Sequence, residues 1–374
     1  MMPSSRIAII GVKRGKGGIP RVLVNLIKGF SEHGYATDIL CREPDQMDSR
    51  YLPAETRLLP IGDADTPISM WNLSSYLYEQ NPFAIISNRE RGRPGIIMAK
   101  RLAKSSVVVA FRVGNPVSVH LERRHGLKRF FRAFGIQLTY PRSDVIIANS
   151  EKLAEDIRKV VPNCSQRIQL LPNPVVHQHI EALAQKTVDH PWLPAKTIPV
   201  VIGAGRLSRQ KDFKTLVEAV YLINQRSSCR LIIIGDGKEL SNLEALAREL
   251  GIGHNVDFPG FVDNPYSYFS KASLFVLSSA WEGCPNVLLE ALAVGVPVVA
   301  TDCLSGPREV LQNGRLGALV PVGQAEALAR AIEKTIEAHP SSDVLRAGVR
   351  GFNLLESSGE YLRVLEMMRS SRVS

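Results

Sequence analysis

The feature that most constrains this chain is a pattern that occurs twice. Short runs rich in Ile and Val are each followed by a stretch with apolar residues spaced near 3.6. In the first half RIAIIGV (6–12) leads through a Gly-rich turn, KRGKGG, into IPRVLVNLIKGFSEHG, whose end at Gly34 fits a helix C-terminus. Further strand-like runs are ATDILC, FAIISN, SVVVAFR and SDVIIANS, and SEKLAEDIRK reads as a helix capped by Ser150. IQLLPNPV (168–175) reads as a strand entering a Pro-rich loop. Prolines at 172, 174, 191, 194 and 199 mark residues 172–197 as the expected linker.

Beyond that segment the pattern restarts. IPVVIGAGRL is followed by the helix DFKTLVEAVYLINQ, the strand CRLIIIGDG, the helix KELSNLEALARELGI and the strands HNVDFPGF and ASLFVLSS. In WEGCPNVLLEALAVG (281–295) a turn precedes a helix starting at Asn286 or Val287, and PVVATD is another strand. Repeated strand–helix units build parallel sheets with helices on both faces. The expected fold class is α/β, with two Rossmann-like βαβ domains facing each other across a cleft that takes the ligand.

Composition excludes several classes. No apolar run is long enough to span a bilayer, and no signal-peptide layout precedes the first strand. The five cysteines (41, 164, 229, 284 and 303) form no CxxC pair, so neither a disulfide framework nor a zinc site is expected. A reducing, cytoplasmic compartment fits. The net charge of +10 is one-sided. Residues 1–190 hold 27 Lys and Arg against 17 Asp and Glu, whereas residues 191–374 hold 19 of each. The first half therefore calls for an anionic partner. Nucleic acid is a poor match, because aromatics make up only 6% and no RNA or DNA motif occurs.

Glu282 and Glu290 flank the start of one helix, with Gly283 and Pro285 shaping the turn between. Backbone N–H groups at such a helix start favour an anion or a hydroxyl-rich ligand. Spacing alone leaves two readings open: a site, or a helix dipole complemented by Glu290 with a solvated Glu282. GRLSRQKD offers Arg206 and Lys211 across a loop and helix start, and these are either a diphosphate clamp or an ordinary polar loop. KRGKGGIPR is neither a Walker loop nor GxGxxG. Three motifs are decoys: the DxD at Asp63 and Asp65, HQH at 177–179, and Asp236 in GDG.

GAGRLSRQKDFKTLVEA, LIIIGDG, VDFPGFVDN, WEGCPNVLLEALAVGVPVVATD and GPREVL occur in an order and spacing that resemble the family-four retaining glycosyltransferases, or glycosyl transferases group 1, of GT-B fold. The likeness spans nearly the whole chain and is densest over 203–323. It implies domains at 1–178 (acceptor side) and 195–355 (nucleotide-sugar side), with a helix in 356–374 returning to the first. It places Glu282 near the donor sugar, Glu290 on the nucleotide ribose, and Arg206 and Lys211 at the diphosphate leaving group. Glu282, Arg206 and Lys211 are thus the expected catalytic set. Gly17 and Gly18 would face the donor phosphates, and Gly283, Cys284, Pro285, Asn286 and Val287 would complete the donor site. No cofactor and no metal are expected, and the nucleotide-diphosphate sugar, UDP-linked, is a substrate. The chain departs from the family at VVVAFRVGNP, where Arg112 and Asn115 replace a histidine. They are candidates for sugar or acceptor contact, or parts of a structural loop.

The basic half contains LERRHGLKRFFRAFGIQL (121–138), with Leu127, Phe130, Phe131, Phe134 and Leu138 at helical spacing. Arg124, Lys128 and Arg132 recur every four residues, with Arg129 beside them. Such a helix either lies at an anionic membrane surface or packs its Phe face into its own domain. The resemblance implies a glycan or lipid-linked acceptor of a bacterial surface polysaccharide, lipopolysaccharide or oligosaccharide, with the enzyme at the inner face of the cytoplasmic membrane. The alternatives are a soluble enzyme of the same fold with a small phosphorylated acceptor, and a nucleic-acid-binding protein using the basic half.

Overall fold

The computed structural model describes residues 6–12, 18–44, 49–122, 125–193 and 197–371. The chain divides into two units: Met1–Pro174 with Leu354–Ser374, and Val175–Asn353. Each is a parallel sheet wrapped by helices, the two Rossmann-like domains expected from the sequence.

The first unit holds β1 (Arg6–Ile10), β2 (Ala36–Leu40), β3 (Arg57–Leu59), β4 (Ala84–Ser87), β5 (Val108–Val113), β6 (Val145–Ala148) and β7 (Ile168–Leu170). They lie in the order β3-β2-β1-β4-β5-β6-β7, with Ile9 in register with both Ile39 and Ile86. Alternation along the strands feeds two cores. Ile7 and Ile9 pack against Leu23, Leu26 and Phe30 of the helix Gly18–Glu32. Ala8 and Ile10 face the other way, towards Leu73, Leu77 and Ile96.

The helix Leu354–Ser370 completes the first core with Tyr361, Leu362 and Leu365. It crosses Gly29, where a Cβ would stand 2.2 Å from Ser358 Oγ, so the close approach of the two helices requires glycine. Tyr35 Oη donates to Glu366 at 2.6 Å and Arg112 Nε to Tyr361 Oη at 3.2 Å. The C-terminal helix therefore belongs to the first unit.

The second unit holds β8 (Val200–Ala204), β9 (Arg230–Ile234), β10 (Val256–Gly260), β11 (Leu274–Leu277), β12 (Val298–Thr301) and β13 (Ala318–Val320), ordered β10-β9-β8-β11-β12-β13. Val201, Leu231, Ile233, Val276 and Val299 make one face of its core, against Leu216 and Val220 of the helix Phe213–Asn224. In each sheet the order reverses once, between β1 and β4 and between β8 and β11. Loops leaving the strand ends diverge at such a point, which opens a crevice there.

The chain passes from the first unit to the second at Pro174–Val175, inside the segment expected as a linker, and the described residues beyond that point are packed. Val175 and Val176 N–H donate to the Phe352 carbonyl at 3.1 and 2.9 Å. Ile180–Ala184 is a helix with both end residues buried, and its carbonyls accept from Asn264 Nδ2 (2.8 Å) and Ser270 Oγ (2.7 Å). The prolines mark turns, but Ile180, Ala184 and Leu193 are core residues of the second unit. Among the described residues no helix is long and apolar enough to cross a membrane.

Candidate active site

The site grows from the switch point of the second sheet. β8 ends at Ala204 and enters a loop, 205–212, that turns tightly, with Lys211 N–H on the Ser208 carbonyl at 2.9 Å. Gly205 has φ +150°, and a Cβ there would stand 2.9 Å from Lys211 Cε, so this glycine lets the lysine chain run close over the strand end. β11 enters the second loop. Three hydrogen bonds tie the two loops: Ser278 Oγ to the Lys211 carbonyl (2.8 Å), Ala280 N–H to the Gln210 carbonyl (2.8 Å) and Gln210 Nε2 to the Trp281 carbonyl (3.0 Å).

These ties bring Lys211 onto Glu282. Nζ stands 2.6 Å from Oε1, which also accepts from Ser279 Oγ at 2.7 Å. The two side chains are only 16% and 8% exposed. Glu282 is therefore a buried, paired carboxylate and not a solvated one. Removing one partner of such a pair leaves the other charge uncompensated, at about 3–5 kcal/mol. Burial, and then the Glu282 charge, push the Cys303 thiol up to about 12, so it stays protonated beside the pair.

The loop after β12 supports the turn from below. Ser305 Oγ donates to the Glu282 carbonyl at 2.6 Å, and Thr301 Oγ1 to the Ser279 carbonyl at 2.6 Å. Gly306, at φ +92°, leaves room for the turn: a Cβ would stand 2.6 Å from both the Gly283 carbonyl oxygen and Pro285 Cδ. The helix Asn286–Val294 follows, and Pro285 before it gives no side-chain cap. Its N-terminus carries the positive end of the helix dipole. Glu290 on this helix is buried, with Tyr266 Oη 3.5 Å from Oε1. Gly283, Cys284 and Pro285 are buried, while Asn286 and Val287 are half-buried.

Among the expected catalytic residues, the structure thus joins Lys211 and Glu282 directly. Arg206 lies exposed on the same loop as Lys211, without an ion pair among the described residues. Ser279, Ser305 and Gly306 escaped the sequence reading. Their signal was small residues at the ends of β11 and β12, a weak cue before the pairing of the loops is known.

In the first unit Gly18 opens its helix, and Gly17 lies outside the described residues, as does Arg124. Arg112 sits in β5 as a brace. It is 2% exposed, and it donates to Tyr361 Oη, to Asn88 Oδ1 at 2.8 Å and to Asn173 Oδ1 at 2.6 Å. Three of its five N–H donors, one on each guanidinium nitrogen, are committed within the unit. Asn115 is half-exposed just after β5. In the helix Gly126–Thr139, Lys128 and Arg129 are exposed, but Arg132 turns inward to an ion pair with Glu90 and leaves the cationic face. The Phe face does not pack into its own domain: Leu127, Phe130, Phe131 and Phe134 are exposed.

The decoys resolve as structure. Asp65 pairs with Arg42 at 2.6 Å and Asp63 with Arg89. His177 packs its ring edge-on against Tyr266 at 5.8 Å. Among the described residues no group of three or more His, Cys, Asp or Glu is placed to hold a metal ion.

Two parallel-sheet Rossmann-like units are the architecture of the GT-B fold. The family model for glycosyl transferases group 1 matches residues 185–350, and that for Glycosyltransferase Family 4 matches residues 16–179. The chain belongs to the group 1 glycosyltransferases, and it is a glycosyltransferase. The lipopolysaccharide core biosynthesis glycosyltransferase LpsE of Rhizobium meliloti is 28% identical over 321 residues, 86% of each chain. An N-acetylgalactosamine-N,N'-diacetylbacillosaminyl-diphospho-undecaprenol 4-alpha-N-acetylgalactosaminyltransferase of Campylobacter jejuni is 29% identical over 247 residues, 66% of this chain and 65% of that one. The solved structure of Anabaena HepE with UDP and glucose has a TM-score of 0.75 at 18% identity, covering 97% of this chain and 99% of that one.

Proposed function

We propose that the protein moves a sugar from a UDP-linked donor, with retention of its anomeric configuration, to a glycan of a bacterial surface polysaccharide, lipopolysaccharide or lipid-linked oligosaccharide. The observation that carries this reading is the Lys211–Glu282 pair beside the uncapped helix Asn286–Val294 at the sheet's switch point. The bond that breaks leaves a diphosphate, whose developing charge is lowest in energy where fixed positive groups already face it. Lys211, held by Glu282, supplies one such group; Arg206 and the helix N-terminus supply the others. Side chains in those roles make a metal unnecessary, and Glu290 takes the ribose hydroxyls. The activities of the relatives from Rhizobium and Campylobacter support the surface-glycan acceptor, and the UDP and glucose of HepE support the donor.

The exposed Phe face with Lys128 and Arg129 supports a seat on the inner face of the cytoplasmic membrane. No nucleic acid enters this reading. The test is slow hydrolysis of UDP-sugars by the purified protein in EDTA, followed by NMR of the released sugar. The expected product appears first as the donor's own anomer. Release of the opposite anomer, or an absolute need for a divalent ion, overturns the reading.

A further inference from the structure

The first unit carries a cavity that this donor chemistry does not use. It measures about 360 Å3 and lies between the helices Arg93–Leu102 and Gly126–Thr139. Arg93 lines it and is 1% exposed, with its guanidinium carbon 4.8 Å from the ring centres of both Phe111 and Tyr140. Its Nη2 donates to the Arg112 carbonyl at 3.1 Å. Nε and Nη1 have no partner among the described residues, and neither has Tyr140 Oη nor Arg132 Nε. Donors buried in this way are costly unless something accepts from them.

The charges around the cavity do not cancel. Arg91, Arg93, Lys128 and Arg132 line it with one carboxylate, Glu90. Arg132 already occupies that carboxylate, and His120 stands 3.8 Å from its other oxygen. Burial lowers the pKa of Arg132. Planar guanidinium donors without an acceptor, beside an ammonium and a phenol, match an anion with several oxygens, and phosphate is the common one.

A second observation gives the rest of the ligand. Phe131 lines the same cavity and is 66% exposed. Phe130 meets its edge at 5.8 Å and Phe134 stacks on Phe130 at 6.5 Å, both exposed. The cationic cavity therefore opens onto an apolar face.

We infer that this cavity binds a phosphate group carried on an apolar chain, with the phosphate on Arg93, Lys128 and Arg91 and the chain along Phe131 and Phe130. The inference rests on the proposed reading only in making that amphiphile the isoprenoid diphosphate of the acceptor; an anionic phospholipid offers the same chemistry.

Three probes separate the sources: inorganic phosphate, farnesyl diphosphate, and phosphatidylcholine vesicles with and without phosphatidylglycerol. Farnesyl diphosphate should bind saturably and about ten-fold or more tighter than inorganic phosphate, since the chain adds apolar burial. Lys128→Ala and Arg91→Ala should each weaken it about ten-fold, and Lys128→Arg should restore it. Lys159→Ala, exposed on the first unit and off the cavity, should change it less than about two-fold. Binding of phosphatidylglycerol vesicles alone, with the same pattern of variants, assigns the site to the bilayer and still supports it. Arg93→Met removes the buried donors, and because it can fail to fold, the mouth variants decide. Equal loss in Lys159→Ala means diffuse surface charge and overturns the site, as does binding of inorganic phosphate with no gain from the chain. Donor hydrolysis by the wild type is scored separately: a protein that hydrolyses UDP-sugars but ignores farnesyl diphosphate and the vesicles loses this site and keeps the glycosyltransferase reading.

Discussion

Glu282→Gln isolates the charge of one carboxylate with little change of shape. Oε1 of Glu282 accepts from Lys211 Nζ at 2.6 Å and from Ser279 Oγ at 2.7 Å. A hydrogen bond to a charged group contributes about 1.5–3 kcal/mol and a neutral one about 0.5–1.5, so two bonds together weaken by about 2–3 kcal/mol. If the pair holds Lys211 for the leaving diphosphate, that loss appears in the barrier as a fall of about 30- to 160-fold in kcat/KM. It also appears in stability, at about 2–4 °C of Tm per kcal/mol for a unit of this size. Because Lys211 and Glu282 act as one pair, the double variant with Lys211→Ala should be far less impaired than the sum of the singles, with a coupling of about 1–3 kcal/mol. The assay is UDP-sugar hydrolysis with a thermal melt of each variant. Hydrolysis within about two-fold of wild type at an unchanged Tm, or strict additivity in the double variant, refutes the reasoning.

Gly306→Ala should lower UDP affinity, because the added Cβ meets Gly283 and Pro285; Gly323→Ala, at φ +71° with nothing within 4 Å, should cost only about 1 kcal/mol of strain and leave UDP binding alone, and a titration of each checks this. Asp38 is fully buried; burial raises its pKa, but hydrogen bonds from Arg57, Tyr76 and Arg6 outweigh it and the folded value is lowered. Its stabilisation is therefore present above the unfolded pKa of about 3.9 and lost as pH falls through the folded value, so Asp38→Asn should flatten the acid limb of the stability curve; parallel acid limbs in the two proteins speak against it. All five cysteines are buried, and burial pushes the thiols of Cys164 and Cys229 up to about 11 and about 12. An aromatic disulfide at mild alkaline pH should titrate them only after denaturation, and rapid reaction of the folded protein contradicts the packing.

Much of the fold is legible in the sequence, because parallel strands buried on both faces write themselves as Ile/Val runs. The helix Asn286–Val294 begins where WEGCPNVLLE places it. The short edge strands Arg57–Leu59 and Ala318–Val320 are not legible, since three residues carry no period; the equally short Ile168–Leu170 is legible only because its apolar run ends at a Pro-rich turn. The Pro-rich segment does hold the passage between the units, but the burial of Ile180, Ala184 and Leu193 within it is not legible, because proline reports turn geometry and not burial. At the site, Glu282 and Lys211 are separately visible in their motifs, but their contact is not, because it depends on which strands neighbour each other at the switch point. The same limit hid Ser305 and Gly306. The exposed Phe face and the inward turn of Arg132 depend on which side of one helix meets Glu90, which helical spacing does not encode.

We propose a nucleotide-diphosphate site built on Lys211 and Arg206 in the second unit. One calorimetric titration of UDP into the wild type, Arg206→Ala and Lys211→Ala in EDTA tests it most directly. Saturable binding by the wild type, weakened by about ten-fold or more in each variant with folding intact, is the expected result. Equal affinity in all three proteins, or no binding until a divalent ion is added, contradicts it.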